Sequence, residues 1–333
     1  MSAILSAPSD IVETKIQLTM SLNLKEKISG AIYGLAIGDA LGIGTEFMTK
    51  PEAAFRYPGG LKHYSQIYRD SHRSQFKPGE WSLDTEVVLA LIQNIGRHGH
   101  LDSLSYASDL KTLYSRTTLD LEGHLRWIME QPDYTIDPCK ASMRVWNERG
   151  HSDAPNEALG RAFIVALLPG ADDAMVTGHV QITHWDPRCI CSAVIISRIA
   201  AALLHDTPEP SMEELEKICH DIDERTWPYV TKARQGDLEG LDLDDEETYW
   251  FTRKTMGAAL WALWHTDSPA AALEAIVAEA GDADTNASLA MALVGLKYGF
   301  SALPREEVEG LADRQTLDKA VDTLTAIIEK GNA

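Results

Sequence analysis

Hydrophobic positions along the chain recur with the 3.6-residue period of an α-helix. In Asn23–Leu41 the apolar residues Leu24, Ile28, Ile32 and Leu35 fall on one face, and the first residue of the segment is a suitable N-cap. The same period predicts further helices at Leu104–Tyr114, Leu121–Met129, Ser142–Glu148, Pro155–Leu168, Thr248–Trp264, Pro269–Glu279, Arg305–Ala312 and Thr316–Lys330. No segment shows the alternation of a strand over several residues, so the pattern predicts an all-α fold.

Two of the predicted helices have sequence features that are typical of helices in a protein core. In the first helix Gly30, Gly34 and Gly38 recur at every fourth position, and such a ridge lets another helix approach closely, although the pattern also occurs without that role. The segment from Ala287 to Leu296 has almost no polar residue and lacks the polar stripe of a surface helix. We expect this second helix to be central and buried.

Composition is that of an ordinary soluble protein. The 333 residues are 44% hydrophobic and 24% charged, with 50 acidic against 30 basic side chains and a formal net charge of −20. A protein that binds the phosphate backbone usually has the opposite balance, so we expect no general nucleic-acid binding, while a local basic pocket for a small phosphorylated ligand stays open. The longest apolar run, Cys189–Leu204, is interrupted by Ser192, Ser197 and Arg198, and we expect no membrane span.

The number and spacing of the cysteines favour reduced thiols. Cys139, Cys189, Cys191 and Cys219 suggest neither a disulfide framework nor a zinc site. The N-terminal segment lacks a basic region followed by an apolar core, so we expect no secretory signal and a cytoplasmic protein. We interpret residues 1–22 as a flexible tail and residues 23–333 as one helical domain.

The segment from Gly281 carries the clearest candidate chemistry. Asp282 and Asp284 stand two positions apart before Thr285, and residues at this spacing in a helix point away from each other. They therefore converge on one ion only in a turn before the helix begins. Oxygen ligands of this kind suit magnesium or manganese. The alternative is that Asp284 is only an N-cap and Asp282 a solvated loop residue.

A second oxygen-rich helix start lies upstream. Ser82 or Asp84 can open a helix, and Thr85 follows, which repeats the design of the segment at Asp282. Between the first helix and this one, the glycine-rich stretch at residues 38–47 carries Asp39 and Glu46. A carboxylate in such a turn can approach a ligand closely or can merely cap the turn.

One polar segment and two polar residues, Arg161 and His184, each allow two interpretations. Residues 50–80 are polar and irregular, with a cationic patch at Arg69, His72, Arg73 and Lys77, and form either a lid or a solvated connector. Arg161 interrupts an apolar helix and calls for an anionic partner, either a ligand phosphate or a structural carboxylate.

His184 lies in a short break between two helices, where it either contacts a ligand or packs and caps. Asp237–Glu247 is strongly acidic without the spacing of an EF-hand, and we interpret it as a solvated loop.

In order and spacing, four segments resemble the signature segments of the ADP-ribosylglycohydrolase family: GDALGIGTEF, WSLDTEVVLAL, ITHWDPRC and GDADTNASLAMALVGLKYGFSALP. The resemblance extends from about Lys25 to about Leu317. It implies an orthogonal bundle of helices around a cleft that holds two magnesium or manganese ions.

Carried over residue by residue, the resemblance assigns roles to named positions. The metal ligands are Ser82, Asp84, Asp282, Asp284 and Thr285. Glu46 faces the metals and the ribose, so the catalytic set is Glu46, Asp84 and Asp284. The substrate-binding set is Asp39, Asn156, Arg161 and His184, although Asp39 alternatively only holds Glu46 in place.

Three positions depart from the family pattern. Leu83 replaces the first carboxylate of a paired Asp-Asp, and because leucine offers no oxygen, the number of ions is one or two. Ala280 replaces the glycine before the last motif. Glu157 replaces the glycine after Asn156, close to where a phosphate is expected.

The resemblance and the carboxylates together predict a metal-assisted glycosidase that hydrolyses an N- or O-ribosyl bond. The expected partner is an ADP-ribosylated protein or a small ADP-ribosyl or ribosyl substrate. Two alternatives are a diverged glycoside or nucleoside-derivative hydrolase on the same scaffold, and a non-catalytic binding or structural relative.

Overall fold

The computed structural model describes residues 22–116 and 123–331. Within these ranges the chain forms sixteen α-helices and no strand, with a single isolated bridge between Pro155 and Phe251. The helices are α1 Leu24–Gly42, α2 Lys50–Arg56, α3 Leu83–His98, α4 Ser103–Arg116, α5 His124–Met129, α6 Pro138–Glu148, α7 Leu159–Ala166, α8 Asp173–Val180, α9 Pro187–His205, α10 Met212–Ile222, α11 Trp227–Gln235, α12 Thr252–His265, α13 Pro269–Ala278, α14 Ala283–Tyr298, α15 Arg305–Gly310 and α16 Arg314–Gly331. The predicted all-α class is confirmed.

Most predicted helices are present with shifted ends, and two of them start late. The helix predicted from Pro155 begins at Leu159, and the helix predicted from Thr248 begins at Thr252. Both differences have one cause, because the bridge between Pro155 and Phe251 and the hydrogen bond from Thr252 N to Ala154 O (2.9 Å) pair these two positions with each other, so neither belongs to a helix.

The region predicted as irregular at residues 50–80 contains a short helix. Thr49 and Glu52 form a capping box at the start of α2, and Pro51 lies in its first turn. The predicted tail at residues 1–22 lies outside the described residues except for Leu22. Leu121 and Glu122, at the start of the helix predicted at Leu121–Met129, also lie outside them.

The centre of the fold is the contact between α1 and α14. A Cβ placed on Gly30, Gly34 or Gly38 would lie 2.1–2.3 Å from a backbone oxygen of α14. The glycine ridge predicted from the sequence therefore allows the two backbones to touch. The prediction of a central α14 is also correct, since Ala287–Leu296 is buried throughout.

α9 is a second buried helix. By length and composition alone it could cross a membrane, but 72% of its apolar window is buried inside the fold. It packs against α7, α8, α10 and α12.

Candidate active site

A cavity of about 1000 Å³ opens where the acidic turns of the chain meet. Glu46 follows α1, Asp84 lies in the first turn of α3, and Asp282 and Asp284 lie at the start of α14. All four carboxylates line the cavity, together with Ser82 and Thr285 from the same helix starts. The two acidic segments that the sequence singled out therefore share one cavity.

The tightest group of carboxylates is Glu46, Asp282 and Asp284. Their side chains are buried, and one oxygen from each lies within 4.8 Å of the others. The prediction that both aspartates lie in a turn before the helix is wrong for Asp284, because Asp282 holds the N-cap position while Asp284 is already in the first turn of α14. Convergence arises from the non-helical backbone of Asp282 (φ −87°, ψ 62°) and not from a turn that contains both residues.

Backbone hydrogen bonds bring Glu46 to this group. Phe47 N donates to Gly281 O (2.7 Å), and Gly281 N donates to Met48 O (2.9 Å). Gly281 has a φ of 66°, and a Cβ there would lie 2.0 Å from Leu243 O. Glycine at this position is required both by the backbone conformation and by the close approach of the neighbouring loop.

That neighbouring loop is the acidic segment Asp237–Glu247. Its Leu241 and Leu243 are buried, and Asp244 accepts a hydrogen bond from the backbone N–H of Lys50 (2.7 Å). The prediction of a solvated loop is therefore wrong for these positions, because the segment packs against the turn that carries the carboxylates.

The second acidic segment joins the first through one hydroxyl group. Thr285 Oγ1 lies 2.7 Å from Asp84 Oδ2 and 2.9 Å from Asp282 Oδ1. Ser82 is the N-cap of α3, and its side chain accepts a hydrogen bond from Asp84 N (3.2 Å). The oxygen atoms of the five residues predicted as metal ligands thus surround one end of the cavity.

Electrostatics at this end favour a bound cation. Burial raises the pKa of Asp84 and of Asp284 well above the usual range, and neighbouring carboxylates raise both further. Burial also raises the pKa of Glu46 and of Asp282, although hydrogen bonds from His72 and Asn156 oppose the effect. Buried carboxylates in mutual contact need a compensating charge, and an all-oxygen donor set fits a hard divalent cation.

Asp39 does not line the cavity. It is completely buried, with Oδ1 accepting from Ser82 N (2.8 Å) and Oδ2 accepting from Thr85 N (2.9 Å) and Thr85 Oγ1 (2.6 Å). The geometry does not fit direct contact with a ligand or support of Glu46. Asp39 instead satisfies the free N–H groups at the start of α3 and so fixes the turn that carries Asp84.

Of the other residues predicted to bind substrate, only Asn156 lines the cavity. Its amide donates to Asp282 Oδ2 (2.6 Å) and Thr255 Oγ1 (2.8 Å), so it orients a carboxylate of the acidic group. Arg161 and His184 are buried behind the cavity wall. The structure does not support direct ligand contact by these two residues. The sequence pattern marked them as candidate functional residues, but it could not show that both side chains are buried below the cavity surface.

Arg161 also lacks the anionic partner that the sequence called for. No carboxylate of the described residues lies within 4.0 Å of its guanidinium, which donates to Thr183 Oγ1 (2.5 Å) and faces the ring of Tyr106 at 5.9 Å.

The structure adds a histidine that the sequence had placed only in a cationic patch. His72 Nε2 lies 2.6 Å from Glu46 Oε2, and its ring packs 5.0 Å from that of Phe47. Arg73 is buried and ties the segment down, because its guanidinium donates to the carbonyls of Gly44 (2.9 Å) and Glu46. This part of residues 50–80 therefore faces the cavity and is not a solvated connector.

Another part of the cavity wall carries basic and aromatic side chains. The guanidinium of Arg149 lies 3.4 Å from the ring centroid of Trp127 and pairs with Asp153. Arg126 and Trp250 also line the cavity. The cavity thus has one strongly acidic end and a wall with two arginines.

Comparisons with known proteins agree with this architecture. The model of the family described as ADP-ribosylglycohydrolase matches residues 20–333. The ADP-ribosyl-[dinitrogen reductase] glycohydrolase of Rhodospirillum rubrum is 26% identical over 320 residues, which cover 92% of this chain and 97% of that protein. The ADP-ribosylarginine hydrolase Tri1 of Pseudomonas putida (strain GB-1) is 26% identical over 316 residues, covering 90% and 78% of the two chains.

A solved structure shows the same fold. The ADP-ribosylglycohydrolase-related protein complex superposes with a TM-score of 0.69 at 21% identity, covering 91% of this chain and 98% of that chain. A family match over nearly the whole length, together with the order of the acidic segments, leads to one conclusion: the chain belongs to the ADP-ribosylglycohydrolase family.

Proposed function

We propose that this protein is a metal-dependent hydrolase that cleaves the ribosyl glycosidic bond of an ADP-ribosylated protein side chain and releases ADP-ribose. The observation that carries the proposal is the group formed by Glu46, Asp282 and Asp284, whose oxygens lie within 4.8 Å of one another at the end of a cavity of about 1000 Å³. The names of the relatives, an ADP-ribosylarginine hydrolase and an ADP-ribosyl-dinitrogen reductase glycohydrolase, supply the substrate class.

Ser82, Asp84, Asp282, Asp284 and Thr285 would hold the ion, with magnesium or manganese as the metals that suit their oxygens. When bound, such an ion supplies charge that orients ribose hydroxyls and increases the acidity of a nearby water. Asn156 keeps Asp282 in place through its hydrogen bond of 2.6 Å.

The carboxylates of the chain contribute in two ways. Positive charge develops at the anomeric carbon as the glycosidic bond breaks, and adjacent carboxylates stabilise it. Glu46 or Asp284 accepts the proton of the attacking water, which burial and the raised pKa of both groups favour.

The experiment is to incubate the protein with ADP-ribosyl-arginine and ADP-ribosyl-serine peptides in magnesium or manganese and to measure free ADP-ribose. Asp282→Asn should abolish release and weaken metal binding measured by calorimetry. Asp267→Asn, an exposed aspartate before α13, is the matched control and should leave both unchanged. Metal binding without cleavage of either peptide would contradict the proposal.

A second candidate is a hydrolase of other ribosides or glycosides on the same scaffold. Glu157 favours it, because this carboxylate lines the cavity where the family pattern has glycine. Cleavage of a nucleoside derivative without cleavage of either peptide would support this candidate. Absence of metal binding in both the native protein and Asp282→Asn would instead support a non-catalytic relative.

A further inference from the structure

A chain of hydrogen bonds runs from the protein interior to Glu157. Arg161 Nη2 lies 2.5 Å from Thr183 Oγ1, which lies 2.8 Å from His184 Nδ1. His184 Nε2 in turn lies 2.9 Å from Glu157 Oε2. The first three side chains are buried, whereas the side chain of Glu157 is 31% exposed and lines the cavity.

The partners determine the direction of each hydrogen bond. Burial, and then the charge of Arg161, lower the pKa of His184 well below its usual value, so the ring is neutral and carries one hydrogen. A guanidinium only donates, so the Thr183 hydroxyl accepts from Arg161 and gives its own hydrogen to Nδ1 of His184, and the ring hydrogen is therefore on Nε2, which donates to Glu157. The chain therefore orients Glu157 with one oxygen bound by His184.

A second histidine gives the same part of the wall another acceptor. His124 Nε2 donates to the carbonyl of Thr183 (2.8 Å), and burial lowers the pKa of His124 to about 4, so Nδ1 carries no hydrogen. Nδ1 is buried without a hydrogen-bond partner among the described residues. The His124 ring lies 4.7 Å from that of His184, and His124 lines the cavity beside Glu157.

Charge at this wall disfavours an anion. The carboxylates of Glu157, Asp84 and Asp282 line the same cavity and repel one another. The one ion-pair contact of Glu157 within 4.0 Å in the described ranges is with His184, which is neutral. Among the described residues no Lys or Arg lies within 4.0 Å of Glu157, and the charge of Arg161 reaches it only from behind the cavity wall, so a phosphate beside Glu157 would face a like charge.

We infer that Glu157 is a specificity-determining residue that accepts a hydrogen bond from a sugar hydroxyl of the substrate and excludes phosphate from the cavity beside Asp84. The inference rests on the proposed function, since it takes the sugar to be the ribosyl group next to the acidic cluster. The diphosphate of an ADP-ribosyl substrate then lies toward the wall with Arg126 and Arg149. Arg161 and His184 are positioning residues that act through Glu157.

The test compares the affinities of ADP-ribose and ADP, measured by calorimetry in magnesium-containing buffer. These ligands differ by the terminal ribose, so the ratio of their dissociation constants reports the contact with that sugar. In Glu157→Gln the side-chain oxygen still accepts from His184, but an NH₂ group that cannot accept replaces the other oxygen. We expect the preference for ADP-ribose to fall by about tenfold, partly through tighter binding of ADP.

Two further variants complete the test. Thr183→Val removes the hydroxyl that links Arg161 to His184 and should lower the same ratio by a smaller factor, which a purely structural role would not do. Glu213→Gln, an exposed glutamate on α10, is the control and should leave the ratio unchanged.

A ratio within about twofold of the native value in both Glu157→Gln and Thr183→Val overturns the inference. Equal weakening of ADP and ADP-ribose also overturns it, since the sugar would not be distinguished. Binding is measured without turnover, so failure to hydrolyse ADP-ribosyl peptides would refute the proposed function and leave this ratio to decide the role of Glu157.

Discussion

Thr285 Oγ1 lies 2.7 Å from Oδ2 of Asp84, although 201 residues separate the two in the chain. The same hydroxyl lies 2.9 Å from Asp282, so one threonine joins the start of α3 to the start of α14. Two segments that are each weak indications of a metal site in the sequence become one oxygen-lined pocket. Four predictions test how the fold builds and uses that pocket.

Replacing Gly38 by alanine should destabilise the protein. The new Cβ would lie 2.1 Å from Ala287 O, and backbone cannot move aside as a flexible side chain can. We expect the free energy of unfolding to fall by about 3 kcal/mol in urea denaturation. Gly178→Ala is the control, because this glycine also lies within a helix but has no neighbour within 4 Å, and it should stabilise by about 0.5–1 kcal/mol. Equal effects of the two substitutions would show that α1 and α14 are not in backbone contact.

Asp39→Asn should loosen the start of α3. Asparagine has one accepting oxygen where Asp39 uses two, so an N–H or hydroxyl of Ser82 or Thr85 would lose its partner. The expected cost is about 2 kcal/mol in thermal or urea unfolding, with weaker metal binding because the turn of Asp84 shifts.

The control for Asp39→Asn is Asp172→Asn, at the N-cap of α8, where asparagine serves equally well. Unchanged stability of Asp39→Asn would mean that Asp39 does not hold the helix start.

The metal-free protein should lose stability as pH rises, relative to Asp284→Asn. The pKa of Asp284 is raised well above its unfolded value by burial and by Glu46, so the folded state binds the proton more tightly. The stabilisation is complete below about pH 4 and is lost as pH rises through the folded pKa.

We therefore expect Asp284→Asn to match the native protein at acidic pH and to exceed it at pH 8 in chelator, as measured by the free energy of unfolding. Buried histidines such as His179, whose pKa is lowered, have the opposite dependence, but both proteins contain them and the difference removes their effect. A difference that narrows with rising pH would contradict the prediction.

Leu83→Asp should increase metal binding. Leu83 is the first residue of α3 and lines the cavity, so an aspartate there adds an oxygen ligand beside Asp84. We expect manganese titration by calorimetry to show one additional ion per chain, or an affinity at least about tenfold higher. Leu83→Asn has nearly the same shape without the charge and should show neither effect. Unchanged stoichiometry and affinity in Leu83→Asp would show that this position does not correspond to the family's ligand.

Much of the fold follows from local pattern. α1 has apolar residues at helical spacing and a glycine ridge that marks a close contact, α14 is apolar on all sides, and Asn23 caps α1 as expected, with its side chain accepting from Glu26 N (2.8 Å). α10 was missed although Ser211 and Glu214 form a capping box, a signal that the sequence does contain. Helices that start late did so because of contacts with distant residues, which periodicity cannot report.

The site was predictable where chemistry and local geometry coincide. The cluster around Asp282 followed from oxygen-rich helix starts, whereas the contact between His72 and Glu46 depends on how a long loop folds back over the cavity. Sequence reasoning likewise could not place Arg161 and His184 behind Glu157, because a polar residue in an apolar helix looks alike whether it faces a ligand or another side chain.

The anchoring of the loop by Arg73 has a mechanical consequence. Its guanidinium holds the carbonyls of Gly44 and Glu46 and pairs with Asp70 Oδ2 at 2.5 Å. Arg73 therefore links the loop that carries His72 to the turn that carries Glu46. We therefore expect a ligand that displaces His72 to shift the Glu46 carboxylate as well, because Arg73 joins the two segments.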